Sequence, residues 1–167
     1  MKRNSSSRRS RLSTFLRISV AIGFGFVLSS VFSGSLHERI NPHRWLEEHE
    51  SNRLYFALGC GPSERAVQFL RENRVGEDFV VIPVDTTSIP ERDEACKQVL
   101  QHIQKRESVW WLWLPETYLC DRLTAEAWNW SISSFEGSSP GFVVEHEVLD
   151  PGFGDHHVER LLSLNKR

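Results

Sequence analysis

Apolar and polar positions change period several times along the chain, and each change marks an element. Residues 18–32 are an uncharged apolar run of fifteen residues, followed by a polar stretch from Ser33 to Asn52. Inside that stretch Asn41-Pro42 reads as a helix start, with Asn as cap and Pro in the first turn, and His43 to His49 makes an amphipathic turn or two. Leu54 to Leu58 is an apolar and aromatic run too short for a helix and reads as a strand. Ser63 to Asn73 places Ala66, Val67, Phe69 and Leu70 at helical spacing, with Gly76 as a stop. Phe79 to Asp85 reads as a second strand, buried on both faces, so strand, helix and strand form a parallel crossover.

Residues 90–137 read as mostly helical. Ala95, Cys96, Val99, Leu100 and Ile103 share one helical face. Trp110, Trp111 and Trp113 cannot all point the same way, so core packing with at least one partly exposed ring is expected. A further helix is expected from Thr124 as cap, carrying Ala125, Ala127, Trp128, Ile132 and Phe135, with Gly137 ending it. Phe142 to Leu149 reads as a hairpin with a polar turn at Glu145 to Glu147. Asp155 reads as the cap of a last helix with Val158, Leu161, Leu162 and Leu164 on its apolar side.

Charge divides the chain unevenly. Lys2, Arg3, Arg8, Arg9, Arg11 and Arg17 are 6 of the 20 basic residues, and the first acidic residue is Glu38. Residues 35–167 carry 14 basic against 22 acidic side chains, a net of −8, so the body repels nucleic acid and no nucleic-acid partner is expected. A basic head before an apolar run is an export signal, and positive charge held inside places the body outside the cytoplasm. The expected organisation is a basic cytoplasmic N-terminus at 1–17, a signal anchor or signal peptide at 18–36, a stalk or linker at 37–52, and one domain at 53–167. The uncleaved anchor is favoured, because Ser33, Gly34 and Ser35 make only a weak cleavage site. Cleavage would leave a secreted or periplasmic protein.

Three cysteines in an exported chain mean one pair and one single thiol, or three free thiols, and oxidising compartments favour the pair. Cys60 stands out because Gly59-Cys60-Gly61-Pro62-Ser63 joins the first strand to the following helix. A thiol is a nucleophile only as thiolate, and unpaired N–H groups at a helix start favour that form. The plainer alternative is a buried structural cysteine closing a strand. In the functional reading the thiolate attacks a disulfide and forms a mixed disulfide. Ser63 stands where a resolving cysteine would be, and a hydroxyl performs no thiol–disulfide exchange. The adduct then persists until an outside thiol displaces it, which favours isomerisation, deglutathionylation or client capture.

Cys60-Gly61-Pro62 matches the start of the thioredoxin Cys-Gly-Pro-Cys motif, and Ser139-Pro140 resembles that family's Thr-Pro. Over roughly 53–167 the chain resembles the thioredoxin-like superfamily, nearest in pattern to periplasmic Dsb-type disulfide isomerases and oxidoreductases. The resemblance implies an α/β thioredoxin-like fold, a central mixed sheet flanked by helices with a helical insertion, here preceded by the anchor helix. It implies Cys60 as the catalytic thiol, Gly61, Pro62 and Ser63 as the active-site turn, and a cis Pro140 with Ser139 as the substrate-docking positions. It also implies a structural disulfide between Cys96 and Cys120. Three features depart from the pattern: Ser63, Gly141 after the proline, and a length too short for the isomerases' dimerisation domain.

The turn also resembles the Cys-Gly-Phe-Ser of monothiol glutaredoxins, which hold an iron–sulfur cluster. An exported domain lies apart from cytosolic cluster assembly, so no cofactor is expected. No metal is expected either. His43 and His49, six apart, do not share a helical face as i,i+4 ligands do and read as solvated surface, while His156 and His157 read as exposed caps. The expected protein is membrane-anchored through residues 18–36, with its domain in a bacterial periplasm. It would perform single-thiol exchange on exported protein clients bearing thiols or disulfides. Glutathione or a membrane electron donor is a further partner to consider. The alternative is a redox-inactive binding module in an envelope assembly.

Overall fold

The computed structural model describes residues 40–164 apart from Arg74, Thr87 and Ser88. The basic residues 1–17, the apolar segment 18–36 and residues 37–39 of the expected stalk lie outside the described residues. Among the described residues no helix is long and apolar enough to cross a membrane. The chain divides into two units at Ile40 and Asn41, and every element named below lies in the second.

That unit is α/β, with a four-stranded mixed sheet and five α-helices. The order is α1 (Pro42–His49), β1 (Arg53–Phe56), α2 (Gly61–Glu72), β2 (Val80–Pro83), α3 (Pro90–Arg106), α4 (Glu116–Phe135), β3 (Gly141–Val144), β4 (Glu147–Val148) and α5 (Asp155–Leu164). Short 3-10 turns at Val75–Asp78 and Trp110–Trp113 join helices to their neighbours. The strands lie side by side as β2-β1-β3-β4. β1 runs parallel to β2, with Leu54 opposite Val81, and antiparallel to β3, with Leu54 opposite Phe142.

Alternation along β1 sorts the helices onto two faces. Leu54 and Phe56 point into a core with Ala66 and Leu70 of α2, Phe142 and Val144 of β3, and Leu161 of α5. Tyr55 points the other way, stacked on Trp130 of α4 with ring centroids 4.5 Å apart. α3 packs on β2 and on α4, and a disulfide between Cys96 and Cys120 links those two helices. A loop of 24 residues closed this way removes roughly 3–4 kcal/mol of unfolded-state entropy.

Several expectations are corrected by packing. Residues 41–52 are part of the domain, not a stalk: α1 lies against α4 and buries Trp45 and Leu46. At its C-terminal end the Arg53 guanidinium donates to the carbonyls of Leu46 (3.0 Å), Glu47 (3.2 Å) and the cap residue Glu50 (2.6 Å), and Leu46 also accepts from the Glu50 N–H. His43 is buried and not solvated, and its Nε2 bonds the Tyr55 hydroxyl at 2.9 Å. Its Nδ1 lies 3.5 Å from Glu47, and that hydrogen bond holds the Glu47 carboxyl below its ordinary range. Burial pushes the Tyr55 phenol well above its own range.

Thr124 caps nothing. α4 begins at Glu116, and the Thr124 hydroxyl donates to the Cys120 carbonyl one turn back, satisfying itself inside the helix. The buried face of α4 is therefore Leu119, Cys120, Leu123, Ala127 and Phe135, while Trp128 and Ile132 are exposed. Of the tryptophan cluster only Trp111 enters the core, and Trp113 is 90 % exposed. α5 is capped by Gly154, not Asp155, with Gly154 N–H donating to His157 Nδ1 at 3.2 Å. His157 is accordingly buried, its Nε2 bonded to the Asp150 carbonyl, whereas His156 is exposed.

Candidate functional site

The ends of β1 and β2 point the same way, because the two strands are parallel. They deliver Ala57 to Cys60 and Val84 to Asp85 side by side. The Leu58 N–H donates to Asp85 Oδ2 at 2.7 Å, which pins the strand end. Gly59 turns the chain at φ +69°, a value that costs a residue without Cβ little. Cys60 then takes the N-cap position of α2 in extended conformation, and its carbonyl accepts the first helical bond from Glu64 at 3.0 Å. Pro62 follows in the first turn, where its missing N–H is of no consequence. The Cys60 side chain is partly exposed and makes no disulfide.

Facing it is the loop between α4 and β3. α4 stops through Glu136 and Gly137, both at positive φ, and the Ser139-Pro140 peptide bond is cis. The Pro140 carbonyl accepts from Gly152 N–H at 2.8 Å. Ser139 joins the loop to the turn: its Oγ accepts from Ala57 N–H at 2.9 Å and is 2.8 Å from Ser63 Oγ. The thiol of Cys60 donates to the Ser139 carbonyl at 3.6 Å. Of the residues singled out in sequence, Cys60, Ser63, Ser139 and Pro140 are thus brought into one cluster.

Ser63 is 0 % exposed and its hydroxyl is committed to Ser139, with Ala57 N–H 3.4 Å away. It holds two segments together and offers no group to a bound substrate. Gly61 is exposed and Pro62 partly so, leaving one side of the turn open. Cys96 and Cys120 stand apart from the cluster in a bond that is buried at both ends, at 0 % and 2 % exposure. No thiol in the described residues is therefore free to resolve an adduct at Cys60. Among the same residues no group of three or more His, Cys, Asp or Glu is placed to hold a metal.

The sequence reading missed two members of the site. Asp85 is the first carboxylate after the β2 apolar run, and its place at a parallel strand end beside β1 was a usable signal. The second is Phe135, whose contact with Gly141 had no such signal. A Cβ added at Gly141 would run into the Phe135 ring, so glycine is what lets β3 leave the proline loop beneath that ring. The departure at 141 is thereby matched by a large aromatic close by.

Comparison with family models, with curated proteins and with solved structures finds no match for this chain.

Proposed function

We propose that the chain is a thioredoxin-like protein that performs single-thiol disulfide exchange through Cys60 on exported protein clients, tethered to a membrane through residues 18–36. The observation that carries this reading is a partly exposed thiol at a helix N-cap, 3.6 Å from the carbonyl that precedes a cis proline. The Cys60 thiolate attacks one sulfur of a client disulfide. The new bond joins Cys60 to that sulfur, and the electron pair of the broken bond leaves on the client's other sulfur as thiolate. With Ser63 occupied and Cys96 and Cys120 bonded to each other, release requires a second thiolate from the client or from a small thiol such as glutathione. The sum is isomerisation or thiol transfer, with no net electrons left on the protein. The bacterial periplasm suits this chemistry.

The test is capture of clients as adducts on non-reducing gels. The full chain is expected to give adducts that reductant removes and that Cys60→Ala abolishes; adducts unchanged in that variant would refute the reading. A second reading, a redox-inactive module that binds partners without a covalent step, draws on the burial of Ser63 as a structural tie. It predicts a Cys60 that resists alkylation in the folded chain.

A further inference from the structure

A cleft of about 760 Å³ lies away from the thiol, between α2, β2 and the first half of α3. Its floor is apolar, formed by Leu58, Val67, Val81 and Ala95. Its rim carries Glu77, Glu91 and Glu94 against the single cation Arg71. All four are exposed, and none of the three carboxylates has an ion-pair partner among the described residues.

One wall is a strand edge. β2 is one of the two edge strands of the sheet, and the Val80 and Val84 amides donate to the carbonyls of Asn52 and Phe56 on the β1 side. Alternate residues of a strand direct their amides oppositely, so Val81 turns its N–H and carbonyl outward, while Pro83 has no N–H to offer. Such an edge receives an extended backbone by strand addition. A second hollow of about 180 Å³ lies against the thiol turn, lined by Ala57, Gly59 and Glu64, and shares Leu58, Val67 and Arg71 with the cleft. The two depressions make one track from the Cys60 turn to the β2 edge.

We infer that this track receives the client's polypeptide, as an extended segment whose apolar side chain fills the cleft and whose flanking Lys or Arg residues meet Glu77, Glu91 and Glu94. The inference rests on the exchange reading for the existence of a client and adds the client's chemistry. An apolar floor takes the side chain out of water. Three carboxylates with no ion-pair partner among the described residues attract cations and repel acidic segments, which gives selectivity and a faster encounter at low salt. A polypeptide suits the site because the track is continuous with the turn where the client's sulfur would be held.

The test uses the full chain in detergent micelles and a fluorescent peptide with no cysteine, in which Leu and Val are flanked by Lys and Arg. The expected result is saturable binding that weakens about tenfold or more in E91K/E94K and with added salt. A peptide with Glu in place of the basic residues is expected to bind the native chain poorly and to regain affinity for E91K/E94K. Both substituted side chains are exposed, and unchanged circular dichroism guards against misfolding. No binding by any peptide, equal binding of the acidic and basic peptides, or affinity indifferent to E91K/E94K would each overturn the inference. Charge-selective binding in a chain whose Cys60 forms no adduct would support the track while removing the exchange reading. Adducts that form at Cys60 equally fast on acidic and basic peptides would keep exchange and overturn the track.

Discussion

At the scale of single residues, the site is a hydrogen-bonded seam in which Ser63 and Ser139 hold the thiol turn against the proline loop. Ser63 occupies the place three positions after Cys60 and is fully buried. A thiol substituted there would stand within the first turn of the same helix. Ser63→Cys is therefore expected to shorten the lifetime of a Cys60 mixed disulfide at least tenfold without added thiol, read by intact mass against time; an unchanged lifetime would mean the two sulfurs cannot meet. Gly141 makes a different point. Because a Cβ there collides with Phe135, Gly141→Ala is expected to cost about 3 kcal/mol in denaturant unfolding, as overpacking does. A double variant with Phe135→Leu is expected to recover part of that loss. Cys60 and Pro140 were legible in sequence because they lie at changes of pattern. Ser63's tie to Ser139 was not, since 76 residues separate the two hydroxyls and nothing local announces the bond.

At the scale of elements, short apolar runs placed β1, β2, α2 and β3 well, because burial on one face imposes a period that survives in sequence. α1 starts where Asn41 and Pro42 place it, but its burial and the start of α4 were misread for one shared reason: both elements bury polar residues. His43 reads as solvated surface and Thr124 as a cap, yet each is buried with its polar atoms bonded to Tyr55 or to its own preceding turn. The Glu47–His43–Tyr55 chain docks α1 on β1 and gives a pH signature. The His43 hydrogen bond holds the Glu47 carboxyl below its ordinary value of 4.5 in the folded state, so its contribution is fully present above that pH. It is lost as pH falls through the lower folded value. The stability difference between the native chain and Glu47→Gln is thus expected to be present near pH 6 and to shrink progressively below 4.5, measured by urea unfolding across that range. A difference that grows on acidification would contradict the assignment.

At the scale of the whole molecule, a mixed sheet with helices on both faces brings the end of β1 against the proline loop and leaves β2 paired on its β1 side alone among the described residues. The disulfide between α3 and α4 supports this arrangement from a distance. Replacing both Cys96 and Cys120 with alanine is expected to lower unfolding free energy by roughly 3 kcal/mol while leaving adduct formation at Cys60 intact. Loss of adducts in a folded variant would place one of those sulfurs in the reaction. The pattern of a basic head, an apolar run and an acidic body was plain in sequence, and the acidic excess reappears around the cleft as Glu77, Glu91 and Glu94. The β2 edge was not plain, because edge position follows from strand order, which no local pattern encodes. The account as a whole depends on Cys60 being the single exchange-competent sulfur. The most direct test offers the full chain a peptide disulfide bearing 2-nitro-5-thiobenzoate as leaving thiolate, followed by intact mass and peptide mapping. The expected outcome is one peptide per chain, bound at Cys60 and stable until a thiol is added, with Cys96 and Cys120 still joined. No adduct at residue 60, or an adduct at either of the other two cysteines in the folded chain, would contradict it.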